Sequence, residues 1–312
     1  MSEKLERSAP GKLILCGEHS VVYGRPAIAI PVSGMRVHVR IAPAPAGAGL
    51  SFESKSMRLR LALRATDRSD PLGRAARLVL EYLGAQEPDA HMTITSDLPV
   101  AGGMGSGAAV AAATLRALGA YLGTELTNET VSAMTYEVER IHHGTPSGID
   151  NTVIAWEMPV YFVKGQAAER FTIGTPLDIL IASSGIASST REAVAEVRRR
   201  WELSTEYYEM VFDCIGAMAK AARAAVEQGA LHALGTLLNE NHELLVKIGV
   251  SVPALDAMVH AARESGALGA KLTGSGQGGN MIALVAPEDR DRVQEALWKA
   301  GARQVWATCV GA

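Results

Sequence analysis

The run Asp97-Leu98-Pro99-Val100-Ala101-Gly102-Gly103-Met104-Gly105-Ser106-Gly107-Ala108-Ala109 decides how the chain around it is read. It has glycines at 102, 103, 105 and 107, one hydroxyl at Ser106 and no charge after Asp97. Upstream, His91–Ser96 alternates with Met92 and Ile94 apolar, the period of a strand. Downstream, Ala108–Leu122 is rich in Ala and Leu and predicts a helix. A glycine loop that opens a helix presents unpaired backbone N–H groups and the positive end of the helix dipole, and both suit a phosphate. Glycine lets the backbone close on the anion where a Cβ would hold it off.

Other uses of such a loop compete with this one. Gly103, Gly105 and Ala108 satisfy Gly-x-Gly-x-x-Gly/Ala, but a dinucleotide loop belongs in a first βαβ unit, and here a long stretch of chain comes first. No Lys follows the last glycine, so it is not a Walker loop. A tight turn under a closely packed small-residue helix is the plain structural reading of the loop by itself. Leu98–Leu115 is uncharged and long enough to span a bilayer, but its Gly, Pro, Ser, Thr and Ala make it too weakly apolar.

At 312 residues the chain exceeds one ordinary core and fits two domains of about 150 residues each. Apolar residues make up 48% and charged residues 20%, which excludes a disordered chain. A net charge of −3 gives no broad basic surface, so nucleic acid is not expected as a partner, and neither is a membrane. Arg198-Arg199-Arg200 is expected to be a solvated helix face. Cys16, Cys214 and Cys309 are odd in number and far apart, which points to a reducing compartment and no structural zinc. The first residues, Met-Ser-Glu-Lys-Leu-Glu-Arg, hold no apolar segment, so no secretory signal is expected and the cytoplasm is the expected location.

Along the chain, residues 7–16 are read as a turn at Pro10-Gly11 leading into an apolar strand, which Gly17-Glu18-His19-Ser20 then interrupts. Arg36–Ile41 alternates as a half-buried antiparallel strand. Residues 42–49 read as a loop, Met57–Leu63 as a strand and Pro71–Leu83 as an amphipathic helix. Thr127 looks like the N-cap of a helix with an apolar stripe at Val131, Met134, Val138 and Ile141. Strands are expected at Pro159–Val163 and Leu177–Ala182, then mostly helix from Thr190 to about Ser265, broken at Gly229 and Pro253. The end reads as strand, glycine loop (Gly274–Gly279), strand, helix and strand. This is an α+β chain of two domains, divided near residues 165–176 into 1–170 and 171–312.

Taken singly, the polar candidates have ordinary explanations. A strand-start Lys12 is usually a surface charge, and Glu18 and His19 are as consistent with a hydrogen-bonded turn as with a ligand site. Glu139 is a solvated helix charge in most such places, and Asp150, after Gly144-Thr145-Pro146-Ser147-Gly148, suits a helix cap. The adjacent His142 and His143 point to different sides of a helix and make a poor metal pair. The second glycine loop also fits Gly-x-Gly-x-x-Gly, but a strand follows it, leaving a turn packed on a phosphate site or on the first loop. Jointly, two glycine loops, a fixed lysine, an acid on a helix and an acid on a loop form a phosphoryl-transfer set. It contains amide donors, a magnesium ligand, a cation for developing charge and a carboxylate for the hydroxyl proton.

These segments resemble the GHMP kinases. Pro10-Gly11-Lys12 with Gly17-Glu18-His19-Ser20-Val21-Val22-Tyr23-Gly24 and Pro26-Ala27-Ile28-Ala29 is similar to the family's first motif, in the form of the branch that phosphorylates mevalonate. Leu98–Ala109 resembles the ATP-phosphate loop, Glu139 through Asp150 the catalytic-aspartate segment, and Lys271–Gly279 the third motif. The resemblance implies an N-terminal domain like ribosomal protein S5 domain 2 and a ferredoxin-like C-terminal domain. The implied reaction is ATP- and Mg²⁺-dependent phosphorylation of the 5-hydroxyl of (R)-mevalonate in isoprenoid biosynthesis. Other small-molecule acceptors within the family (phosphomevalonate, a different mevalonate hydroxyl, homoserine or a sugar) are the alternative, followed by a silent metabolite-binding regulator.

By position, the resemblance makes Asp150 the base or hydroxyl-orienting group, and Lys12 its ion-pair partner and the cation on the transferred phosphoryl. Glu18, His19 and Thr190 would face mevalonate. Pro99, Gly102, Gly103, Met104, Gly105, Ser106, Gly107 and Ala108 would hold ATP, and Glu139 would hold magnesium. The sequence does not set the oligomeric state; a homodimer is one assembly open to it. One position departs from the family's usual Gly-Leu-Gly-Ser-Ser-Ala-Ala: Gly107 stands where a serine would join Glu139 on magnesium. A water or Ser106 is expected to fill that corner.

Overall fold

Alternation in 36–41 and 91–96 predicts two half-buried strands, and the two pair antiparallel with Val37 opposite Ser96 and Ile41 opposite Met92. Val37, Val39 and Ile41 are buried while Arg40 faces solvent, as a period of two demands. The structure, a computed structural model, describes residues 5–54, 59–99, 103–143 and 146–311.

The strands are β1 (Leu5–Cys16), β2 (Ala27–Pro43), β3 (Leu50–Ser54), β4 (Leu59–Ala62), β5 (Ala90–Ser96), β6 (Val160–Phe162), β7 (Glu169–Arg170), β8 (Leu177–Ser183), β9 (Gly269–Thr273), β10 (Asn280–Leu284) and β11 (Gln304–Val310). The helices are α1 (Pro71–Leu83), α2 (Ser106–Tyr121), α3 (Asn128–His143), α4 (Ile149–Trp156), α5 (Thr190–Leu203), α6 (Thr205–Gln228), α7 (Leu231–Lys247), α8 (Pro253–Glu264) and α9 (Arg290–Lys299). Among the described residues no helix is long and apolar enough to cross a membrane.

The chain packs as two units that exchange segments. One contains 1–11, 35–100 and 105–157, and the other 12–34, 101–104 and 158–312. In the first, β4, β3, β5 and the later part of β2 form a sheet, with β3 parallel to β5. Helix α1 starts where expected: the Asp70 side chain accepts the Gly73 N–H at 2.7 Å, and Pro71 fills the first turn. Thr127 caps α3 as read, its hydroxyl accepting the Thr130 N–H at 3.2 Å. Helices α2, α3 and α4 pack on one another through small and branched apolar residues, among them Ala112, Leu115, Val131, Val138 and Val153.

In the second unit the early part of β2 pairs with β6, and four antiparallel strands form a separate sheet in the order β11-β8-β10-β9. With α9 joining β10 to β11 this is the ferredoxin-like order. Leu180, Ala182, Leu272 and Met281 of the sheet share one core with Phe212 and Ile215 of α6, Leu245 of α7, Met258 of α8 and Leu297 of α9. The helical stretch from Thr190 has one break the sequence reading omits: Ser204, at ψ 54, separates α5 from α6.

Candidate active site

In the first unit, three helices carry the expected phosphate, metal and proton groups. Gly105 precedes α2 at φ +70, a conformation costly for any residue with a Cβ, and among the described residues no side chain caps the helix. The N–H groups of Ser106, Gly107 and Ala108 are therefore those of a first helical turn, which no intrahelical carbonyl reaches. Ser106 is half-buried and Gly107 exposed; Pro99 is half-buried ahead of the loop. Gly102, expected in this cradle, lies outside the described residues.

Glu139, on α3, is buried at 6% exposure. A Cβ built on Gly107 would lie 3.6 Å from its Oε1, so the carboxylate stands beside the first turn of α2. Asp150 is half-buried in the first turn of α4, where a negative charge suits the dipole. Its backbone is pinned from both ends of the helix. Asn151 Nδ2 donates to Ser132 Oγ at 2.9 Å, and Thr152 Oγ1 donates to the Gly148 carbonyl at 2.7 Å. Arg116 donates to the Ala155 carbonyl at 2.6 Å and to Glu157 at 2.7 Å.

In the second unit, Lys12 is buried at 5% exposure, and its backbone N–H donates to the Met104 carbonyl at 3.0 Å. That bond holds the Gly103-Met104 portion of the first glycine loop, and Met104 itself is fully buried. The turn after β1 is tight. Gly17, at φ +105, approaches Ala27 so closely that a Cβ would lie 2.4 Å from the Ala27 Cα, so only glycine fits. His19 is a non-glycine residue at φ 61, a conformation that costs energy and concentrates at functional sites.

Both polar side chains of this turn are fixed by the stretch 271–275. Glu18 pairs with Lys271, the two being 1% and 0% exposed. His19 Nε2 lies 2.9 Å from the Ser275 carbonyl, which only accepts, so that nitrogen carries the proton. Burial pushes the His19 pKa down to about 4, so the ring is neutral at pH 7 and offers Nδ1 as an acceptor. Burial pushes the Glu18 carboxyl up, and Lys271 and Lys12 oppose that rise. Thr190, exposed at the start of α5, reaches Ser275 Oγ with its hydroxyl at 3.4 Å, which brings it to the residue that holds His19.

One reading changes here. Lys12 does not leave a turn: β1 runs unbroken through Pro10-Gly11, because an extended backbone accommodates both residues, and the lysine lies buried within the strand. The second glycine loop packs on the first, as one of its two readings has it, the Gly274 Cβ position lying 3.7 Å from the Gly103 carbonyl. The sequence reading assigned no role to Lys271, Ser275 or His242. The available signal was a charged residue inside the apolar strand Ala270-Lys271-Leu272.

The family model for the GHMP kinase N terminal domain matches residues 71–157, and that for the GHMP kinase C terminal domain matches residues 221–303. The chain belongs to the GHMP kinase family. It is 37% identical to a mevalonate kinase of Thermococcus sibiricus, over 94% of this chain and 92% of the relative. It is 38% identical to a mevalonate kinase of Pyrococcus horikoshii over the same shares. The crystal structure of L. major mevalonate kinase in complex with R-mevalonate superposes with a TM-score of 0.86 at 28% identity, covering 99% of this chain and 98% of that one.

Proposed function

We propose that this chain transfers the γ-phosphoryl group of ATP to the 5-hydroxyl of (R)-mevalonate, giving 5-phosphomevalonate for isoprenoid synthesis. The observation that carries this reading is the Glu18–His19 turn: two buried polar side chains, fixed from behind and strained at His19, are what a small hydroxy acid needs for recognition. Asp150 is the proposed acceptor of the hydroxyl proton, Lys12 the cation for charge developing on the transferred group, and Ser106–Ala108 the amide cradle for the triphosphate. Glu18, His19 and Thr190 are the proposed mevalonate contacts. ADP release by the purified protein, measured across mevalonate, phosphomevalonate, homoserine and galactose, tests it. Turnover confined to mevalonate supports the reading, and preference for another acceptor overturns it.

Magnesium is part of the proposal. Among the described residues no cluster of three or more His, Cys, Asp or Glu is arranged to hold a metal. That suits Mg²⁺, which binds through one or two carboxylates together with water and substrate phosphates. The residues fit: Glu139 supplies a buried carboxylate oxygen, glycine at 107 leaves the adjoining space open for water, and Ser106 is the second proposed ligand. When bound, the ion would neutralise charge on the β- and γ-phosphates. Gly107→Ser places a Cβ at ordinary contact distance from Glu139 Oε1, with the hydroxyl one bond further on. It is expected to lower the Mg²⁺ concentration for half-maximal rate by about fivefold, the worth of one hydrogen-bond-sized interaction. A magnesium titration at saturating mevalonate checks this.

We place the active protein in the cytoplasm, a reading supported by the free thiols Cys16, Cys214 and Cys309. Residues 1–170 and 171–312 are the proposed N- and C-terminal domains, and the two family matches fall on either side of that division. We also propose a homodimer. Sedimentation at twice the chain mass is the expected result, and sedimentation at one chain mass overturns it.

A further inference from the structure

We infer that Lys271 is a positioning residue for the phosphoryl acceptor: it fixes Glu18 through one carboxylate oxygen, leaving the other as a buried acceptor for a substrate hydroxyl. This rests on the reading that Glu18 faces the acceptor. Strand β9 is buried throughout, and Lys271 is fully buried within it. A lysine is expensive there unless its ammonium is paired. Nζ donates to Glu18 Oε1 and, at 2.6 Å, to the Leu272 carbonyl. Among the described residues no group donates a hydrogen bond to the buried Glu18 Oε2, so it lacks the donor such an atom requires.

The lysine is itself held from behind. The Leu272 N–H donates to Nδ1 of the buried His242 at 3.3 Å, so that ring carries its proton on Nε2, which lies 3.3 Å from Asp256 Oδ1. Asp256 also accepts from Ser251 Oγ. On the front side the same stretch grips β1 and its turn at two further places. Thr273 Oγ1 donates to the Ile14 carbonyl at 3.0 Å, and the Ser275 carbonyl accepts from His19. The Glu18–Lys271 pair is neutral as a unit. It therefore presents an acceptor oxygen without repelling an anionic hydroxy acid, which an unpaired carboxylate would do.

The test compares Lys271→Met, Lys271→Arg, Glu18→Gln and the double variant Glu18→Gln/Lys271→Met with wild type. Lys271→Met is expected to raise KM for mevalonate about 10- to 100-fold, the loss of one charge-assisted contact, while KM for ATP stays within about twofold. The acid limb of kcat/KM should move to higher pH, because Glu18 loses the cation that favours its ionised form. Among the described residues Lys12 also favours the ionised form of Glu18, and Glu18 in turn raises the neighbouring Cys16 thiol. The double variant should regain melting temperature lost in Lys271→Met without regaining the mevalonate KM. Should Lys271→Met not fold, Lys271→Arg, which keeps the charge and misplaces it, carries the same KM and pH comparison. A folded variant with wild-type mevalonate KM and pH profile overturns the assignment, as does a parallel rise in both KM values. A wild type inert toward mevalonate but active on another acceptor overturns the substrate reading alone, and the comparison is then made with that acceptor.

Discussion

Asp150→Asn is expected to lower kcat about 10³-fold, with the KM values for ATP and mevalonate within about threefold of wild type. The magnitude is that of a positioned general base. The substitution removes basicity and almost no shape. Helix α4 does not depend on this side chain for a cap, since Gly148 occupies that position. Asn151, Thr152 and Arg116 fix the helix by bonds that leave Asp150 out. Steady-state kinetics with coupled ADP detection checks the result. Turnover within about tenfold of wild type would remove Asp150 from the role of base.

Lys12→Met has the second largest expected effect, a kcat lower by about 10²- to 10³-fold, as found when a donor to developing charge is deleted. Methionine keeps most of the buried aliphatic stem. The bond from the residue-12 amide to the Met104 carbonyl belongs to the backbone and survives the change. Loop placement and packing are thus preserved while the charge is removed. Nucleotide affinity, measured by calorimetry with a non-hydrolysable analogue, should change far less than kcat. If the two fall together, Lys12 binds ground-state ATP and does not act selectively on the transferred group.

Local signals explain how much of this could be read from the chain. The Asp70-Pro71 start of α1, the Thr127 cap of α3 and the alternation in β2 and β5 are each written within a few neighbouring residues, and each element stands where that chemistry puts it. Apolar strands flanking Gly274–Gly279 likewise announce β9 and β10. What the chain concealed was pairing at long range. Glu18 and Lys271 are 253 positions apart, and nothing in the neighbourhood of either names the other as its partner. The burial of Lys12 was hidden for a similar reason: Pro10-Gly11 signals a turn locally, and the strand running through it is set by its neighbours in the fold. The family motifs named the proposed site residues, but a motif cannot state which of its members touches ligand and which braces another residue.

The exchange of segments between the two packing units bears on any attempt to work with half of this enzyme. A fragment starting at Met158 would keep β6 but lose Ala27–Ala29, the edge to which that strand is hydrogen-bonded. It would also keep Lys271 while discarding the only carboxylate seen to neutralise it among the described residues. A bare ammonium in an apolar interior and an uncovered strand edge are hazards for solubility. The family boundaries therefore mark stretches of inheritance, and scissors applied there would yield aggregate, not a working module.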